Sequence, residues 1–487
     1  MKLRLRLRNG GSYPRFTIFE KVIMQVNSAA PRVQTKLGSL PALALILTTA
    51  TLASLILCAK ARGQEEVLAQ FETVLDTPAF NFRQIVANRN SQIATIYTTE
   101  SNGPYRVYQH DPNGTSSDFE LPGTRLVDIE LSNWGTLIAD YAGSGTALLA
   151  APFGEQPTEF FRAGSTNSRG SITDDGTIAF FARESNSHGL RDVYIRTPQQ
   201  APQLLPELNE DAVFGPELLD QSGRLAAIHN FDPSGFDSEI YRYTQNQGWE
   251  NLTASRLPAD VQVLSSVSGD RSVSPEGNFV FGGAVSQPDG TTSNEVFLWD
   301  DAEETIMSVF DANSESGDPF LSLFPLPITA TFSDTNDLFL IAATLPGSFQ
   351  GITEFRTLYR NSDGTTVDLE NILPDGYSLT RDHQQYSLNY DGDLWFSATN
   401  DSTGLFRYFL LQDGSLRSVI DDTSLSLRLP VLTNSNELYA WLPTEGSLHS
   451  RLGRLTIAIP EPGCMTVGFA AIAGWLFPRR KRYLPTA

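Results

Sequence analysis

TDDGTIAFFA, residues Thr173–Ala182, decides the fold. Short polar side chains cap a tight turn, and glycine tolerates the positive φ that such a turn demands. The apolar, aromatic run behind it suits a strand buried on both faces. The arrangement recurs in NRNSQIATIY at Asn88, SNWGTLIADY at Ser132, DQSGRLAAIH at Asp220 and SPEGNFVFGG at Ser274. Three further copies are SDTNDLFLIA at Ser333, NYDGDLWFSA at Asn389 and TNSNELYAWL at Thr433. The turn residues are Ser91, Gly135, Gly176, Gly223, Gly277, Asn336, Gly392 and Asn436, at a mean interval of about 49 residues.

Each copy is followed, about 15–25 residues on, by another strand pattern. YRVYQHDPNG from Tyr105, DVYIRTP from Asp192, EIYRYTQNQG from Glu239 and EVFLWDD from Glu295 are examples. A further strand after the Asn-Gly or Asp-Gly hairpin gives about four short strands per unit. Units of 40–50 residues with four strands are the signature of a propeller blade. Helical solenoids fail, because no unit keeps a 3.6-residue period. The expected fold is all-β: a single β-propeller of seven or eight four-stranded blades over residues 64–458. Seven would result if the first and last copies shared one closing blade.

The chain of 487 residues carries a net charge of −21, but the charge is partitioned. Residues 1–63 hold ten basic residues and one acid, and residues 460–487 hold four basic residues and one acid. The stretch between has 21 basic and 54 acidic residues, a net −33, and no lysine. So acidic a body repels phosphate backbones, which excludes nucleic acid as the expected partner. The two cysteines, Cys58 and Cys464, both lie in terminal apolar segments. The body therefore has no disulfide framework, cysteine-ligated zinc or cysteine nucleophile.

The ends read as addresses. Leu37–Cys58 is an uncharged apolar run of 22 residues, preceded by Arg32 and Lys36 and followed by Ala59-Lys60-Ala61-Arg62-Gly63. This is the pattern of a secretory signal, cleaved after Ala61 or Gly63 by signal peptidase. An uncleaved membrane anchor is the alternative. Initiation at Met24 would give the signal an n-region of ordinary size.

At the other end stand Pro460, Glu461 and Pro462, then the apolar CMTVGFAAIAGWLF, then Arg479, Arg480, Lys481 and Arg482. The prolines hold an extended segment, and the cations resist translocation of the span before them. These residues resemble the PEP-CTERM sorting signal. That resemblance implies an exosortase as processing partner, a transient membrane helix within residues 459–487, and delivery to the outer surface, often alongside exopolysaccharide. The repeats are similar to the tandem NxxGxxAF repeats of choice-of-anchor surface proteins, with TDDGTIAFFA the nearest match, and more distantly to TolB-like propeller repeats. These likenesses imply fold and address rather than activity.

Catalytic chemistry is thinly represented. No Gly-x-Ser-x-Gly elbow occurs, and His110, His188, His229, His383 and His449 are scattered. Asp174, Asp175, Asp391 and Asp393 stand beside repeat turns, where acids cap turns; LNYDGDLW and ITDDGTIA match a sialidase-type Asp box only partly. The acidic loops Asp111–Asp118 and Asp311–Asp318 lack the spacing of an EF-hand. Tyr108, Tyr194, Tyr241, Phe297, Tyr359 and Tyr408 recur at one blade position, as core packing or as rings that stack on sugars. No catalytic, cofactor-binding or metal-binding residue is nominated. The expected function is an exported, non-catalytic propeller serving as a binding or matrix module, with extracellular polysaccharide as a candidate partner. The alternative is a propeller hydrolase or lyase acting on such a polysaccharide through acids of its channel.

Overall fold

The computed structural model describes residues 70–457 except 122–124, 143–145, 164–169, 183–191, 199, 207–212, 231–237, 267–270, 291, 312–326, 345–353, 381–384 and 444–449. The proposed signal and sorting segments lie outside the described residues. Among those residues, no helix is long and apolar enough to cross a membrane.

The described chain is a β-propeller built from repeated antiparallel meanders. The first comprises Asn81–Ala87, Ile93–Thr98, Arg106–His110 and Ser116–Glu120, paired in that order. Its second strand, IATIYT, is buried at every residue, because it is sandwiched between neighbouring meanders on both faces. Its fourth strand, SSDFE, alternates between exposed and half-buried, as a polar outer edge should.

Hydrogen bonding divides the described strands into seven sheets. One sheet has eight strands and holds two meanders, Val213–Asn251 and Val261–Asp311, joined by the single pair Ser238↔Val263. The expectation of seven or eight blades thus divides by definition: seven sheets by continuous pairing, eight units by repeat turn. Among the described residues eight apolar clusters follow the count of repeat turns, each between two adjacent units. One joins Val86 and Ile96 to Leu137 and Leu149, and another joins Tyr439 and Trp441 to Ile85 and Tyr97. Stability therefore resides between units, as in other stacked repeats.

The ring is closed by mixing the two ends of the domain. Arg428–Leu432, Glu437–Pro443 and Ser450–Thr456 form one sheet whose outermost strand is Glu72–Ala79. Glu72 faces Arg454 in that register, and their side chains pair at 2.5 Å. Helix is almost absent among the described residues. A five-residue turn of helix at Leu252–Arg256 is capped by Asn251, and a 3-10 turn spans Leu369–Ile372.

Candidate functional site: the mouth of the central channel

The eight repeat turns share one geometry. In each, the first polar residue is buried, and its side chain accepts the backbone N–H four residues on. Asn88 does so from Gln92 at 3.0 Å, Ser132 from Thr136 at 2.9 Å, Thr173 from Thr177 at 3.0 Å and Asp220 from Arg224 at 2.8 Å. Ser274, Ser333, Asn389 and Thr433 repeat this toward Asn278, Asp337, Asp393 and Glu437 at 2.7–3.3 Å. The fourth residue turns back with positive φ at all eight positions, from 58° at Asn436 to 97° at Gly277. This is the three-residue hairpin, a type I turn closed by a left-handed residue. Glycine is freest there; Ser91, Asn336 and Asn436 adopt the same conformation.

At several turns the second residue is bonded to that of the neighbouring turn. The Arg89 amide donates to the Asn133 side chain at 2.8 Å, and the Asp174 amide to that of Gln221 at 2.7 Å. The Tyr390 amide donates to Asn434 at 2.9 Å, and the Asp334 amide to the Tyr390 carbonyl at 2.9 Å. Position two thus joins four pairs of adjacent turns, and Ser435–Ser91 and Asn336–Glu276 join two more, which gathers the turns into a collar.

Inside the collar lies a cavity of about 380 Å³, lined by inner-strand residues of all eight units. Glu130, Asp174, Asp334, Arg271 and Tyr390 give its charge and polarity. Several contacts join units that are not neighbours. Arg89 forms an ion pair with Asp334, and the Tyr390 hydroxyl donates to the Ala87 carbonyl at 3.1 Å. The Arg271 guanidinium lies 4.4 Å from the centre of the Tyr390 ring and also donates to the Leu388 carbonyl. Arg271 Nη1 is buried without a hydrogen-bond partner among the described residues. Burial raises the Asp334 carboxyl above the usual range, against the opposing pull of Arg89 and Arg271; Asp174 adds to the rise. The Glu130 carboxylate accepts the Ile172 amide of the next unit at 3.1 Å.

The other sequence candidates fall elsewhere. Asp175 caps its own turn, accepting from the Thr177 amide at 2.9 Å. Asp391 accepts from Asn434 at 3.0 Å, while Asp393 is buried against Asn389 and Gln412. The Asp111–Asp118 loop is a hairpin in which Asp118 binds Tyr97 and Arg106. Beyond Asp311, the Asp311–Asp318 loop lies outside the described residues, as do His188, His383 and His449. No group of three His, Cys, Asp or Glu side chains poised to hold a metal is present among the described residues. Tyr108, Phe297, Tyr359 and Tyr408 are buried between units, and Tyr194 and Tyr241 are half-buried. Pro460, Glu461, Pro462, Arg479, Arg480, Lys481 and Arg482 are outside the described residues.

Sequence reasoning did not single out Arg89, Arg271, Asp334 or Trp134. Trp134 is the third residue of the Ser132 turn and is 76% exposed. Its signal was present: the other units place Asn90, Asp175, Ser222, Glu276, Thr335, Asp391 and Ser435 there, all polar.

No protein-family model matches the chain, and no curated protein matches it. Solved structures with similar folds are β-propellers or contain one. Porphyromonas gingivalis dipeptidyl peptidase 4 aligns at 7% identity and a TM-score of 0.49, covering 81% of this chain and 61% of that one. The β-propeller domain of the Trilobed protease from Pyrococcus furiosus aligns at 11% and 0.42, covering 71% and 99%. TolB from Acinetobacter baumannii aligns at 13% and 0.33, covering 69% and 81%. At such identities the likeness extends to the fold alone.

Proposed function

We propose that the chain is an exported, surface-destined propeller that works as a non-catalytic binding module of the cell envelope or its matrix, with extracellular polysaccharide as its partner. The single observation that carries the reading is the collar. Eight turns converge on one polar mouth whose acids are largely committed, Asp334 to Arg89 and Glu130 to a backbone amide. Groups held in this way suit recognition of a ligand better than proton transfer to it.

The address is part of the proposal. Residues 1–63 act as extension and signal, and residues 459–487 as a PEP-CTERM segment processed by an exosortase. The experiment is expression in a host that has its own exosortase, followed by separation of membrane, surface and medium fractions. Surface or released protein is expected. Protein confined to the cytoplasm would end the export reading.

A second reading, a hydrolase or lyase acting on polysaccharide, is favoured by one observation. Asp334, its carboxyl raised by burial, shares the mouth with Asp174, and glycosidic chemistry uses a pair of carboxyl groups. Reducing-end or unsaturated-product assays on exopolysaccharide separate the readings. Turnover that vanishes in Asp174→Asn and Asp334→Asn would favour the enzyme.

A further inference from the structure

Trp134 is the exception on the collar face. Among the described residues it is one of two large hydrophobic side chains left exposed, the other being Leu204 on an edge strand. Three other tryptophans, Trp299, Trp395 and Trp441, are fully buried. Nothing in the hairpin requires an indole, since seven sister turns fold with polar residues at that position. The preceding residue, Asn133, lines the cavity and takes part in the collar. The adjacent turn presents Asp174, also at the cavity, and the two turns pack closely, Gly176 lying against Thr136.

We infer that Trp134 and the Asp174 side of the mouth form a subsite for the pyranose ring of a neutral glycan chain. A flat, solvated indole one residue from the cavity-lining Asn133 amide, with the Asp174 carboxylate on the adjacent turn, offers both kinds of surface that a sugar presents. The C–H face of the ring covers the indole, and the equatorial hydroxyls donate to carboxylate or amide oxygens. Among the described residues no side chain donates to the Asp174 carboxylate, which leaves it as an acceptor. An anionic sugar is disfavoured, because three acids, Glu130, Asp174 and Asp334, line the cavity against one cation, Arg271, and Arg89 is paired with Asp334. Nucleobases would suit the indole, but the net charge of −33 on the body opposes their phosphates.

The inference rests on the mouth being the binding face, and its test is independent of export. The full chain, purified in detergent micelles, is titrated with cellohexaose, xylohexaose and hexaguluronate, and tryptophan emission and calorimetric heat are followed. Binding of a neutral hexasaccharide is expected, with a change in indole emission. Trp134→Ala should weaken it about tenfold, as for loss of one aromatic anchor, and Trp134→Phe should restore most of it. Asp174→Asn should weaken binding without altering the melting temperature. Failure of both neutral probes to bind overturns the inference, as does tighter binding of hexaguluronate. Undiminished affinity in Trp134→Ala does the same. Preference for a polyproline decapeptide over every sugar would reassign Trp134 to a protein partner. If instead the glycan binds but the chain stays in the cytoplasm, the export reading fails and this one stands.

Discussion

Arg89 and Asp334 form an ion pair across the mouth of the channel, although their turns belong to units that are not neighbours. The pair is asymmetric: the Arg89 side chain is 51% exposed and that of Asp334 16%. Burial of the carboxylate outweighs the attraction, since the Asp334 carboxyl is raised rather than lowered. An acid with a raised folded-state pKa stabilises the fold below its unfolded value, and that contribution is lost as pH rises through the folded value. Asp334→Asn should therefore melt no lower than the parent at pH 7, and the gap should close as pH falls into the carboxylate range. Thermal melts from pH 3 to 8 check this. A variant that melts lower at pH 7 would show that the pair is net stabilising.

The turns allow a paired comparison of glycines. Gly392 and Gly223 both have positive φ, 93° and 77°. A Cβ at Gly223 meets open space, whereas one at Gly392 runs into the Asp337 carboxylate, which itself accepts the Ser362 amide at 2.9 Å. Gly223→Ala should cost about 1 kcal/mol, the backbone penalty alone. Gly392→Ala should cost roughly 2–3 kcal/mol, because the clash adds to the backbone term. Urea unfolding measures both. Equal losses would mean the Asp337 side chain moves aside freely.

How much of this was readable in the chain follows from how local each feature is. The hairpin is a five-residue device, so Thr173, Gly176 and the buried run behind them announce the strand pair without reference to the rest of the fold. Even the departures from glycine at Ser91, Asn336 and Asn436 were legible, because only a few residue types tolerate the left-handed region. The mouth is different. Arg89 meets Asp334 at a separation of 245 residues, and only ring closure brings the eight second positions together. Asp174 and Asp175 illustrate the limit: the two are adjacent acids beside one turn, yet Asp175 caps it and Asp174 faces the cavity. No local pattern distinguishes them.

The buried caps should be separable in energy. Ser132 and Ser333 lie in different units and each accepts an amide at 2.9 Å. Ser132→Ala and Ser333→Ala should each cost about 1–2 kcal/mol, the penalty for a buried donor left unpaired. The double variant should show the sum, because the sites share no partner. Equilibrium unfolding of the two single variants and the double variant supplies the test.

Closure of the ring depends on Trp441. It is fully buried, donates from Nε1 to Thr95 at 3.2 Å and stacks on Phe82 at 5.2 Å. The last unit is thereby fastened to the first. Trp441→Ala should cost about 3–5 kcal/mol, the usual result of removing a buried aromatic side chain. Because the loss falls on the seam, hydrogen exchange should quicken first in the strand Glu72–Ala79. Uniform acceleration across all units would instead mean that the ring opens as one body.

The same seam holds the last titratable group in question, His110. Its ring is buried, stacks on Tyr108 at 6.3 Å and meets the edge of Tyr439 at 6.0 Å; neither nitrogen has a hydrogen-bond partner among the described residues. The charged groups that influence it are Arg454, Glu437, Asp111 and Glu72, and burial followed by Arg454 lowers its pKa despite the three acids. A base with a lowered folded-state pKa favours the fold while it stays neutral. As pH falls through the unfolded value of about 6.5, the unfolded chain takes up a proton that the folded chain does not, so stability declines. His110→Phe removes this difference. The variant should therefore gain stability relative to the parent between pH 6.5 and 5, with little change in that difference between pH 7.5 and 8.5. Denaturation midpoints across the range decide it. A gap that is constant with pH would show that His110 contributes only its shape.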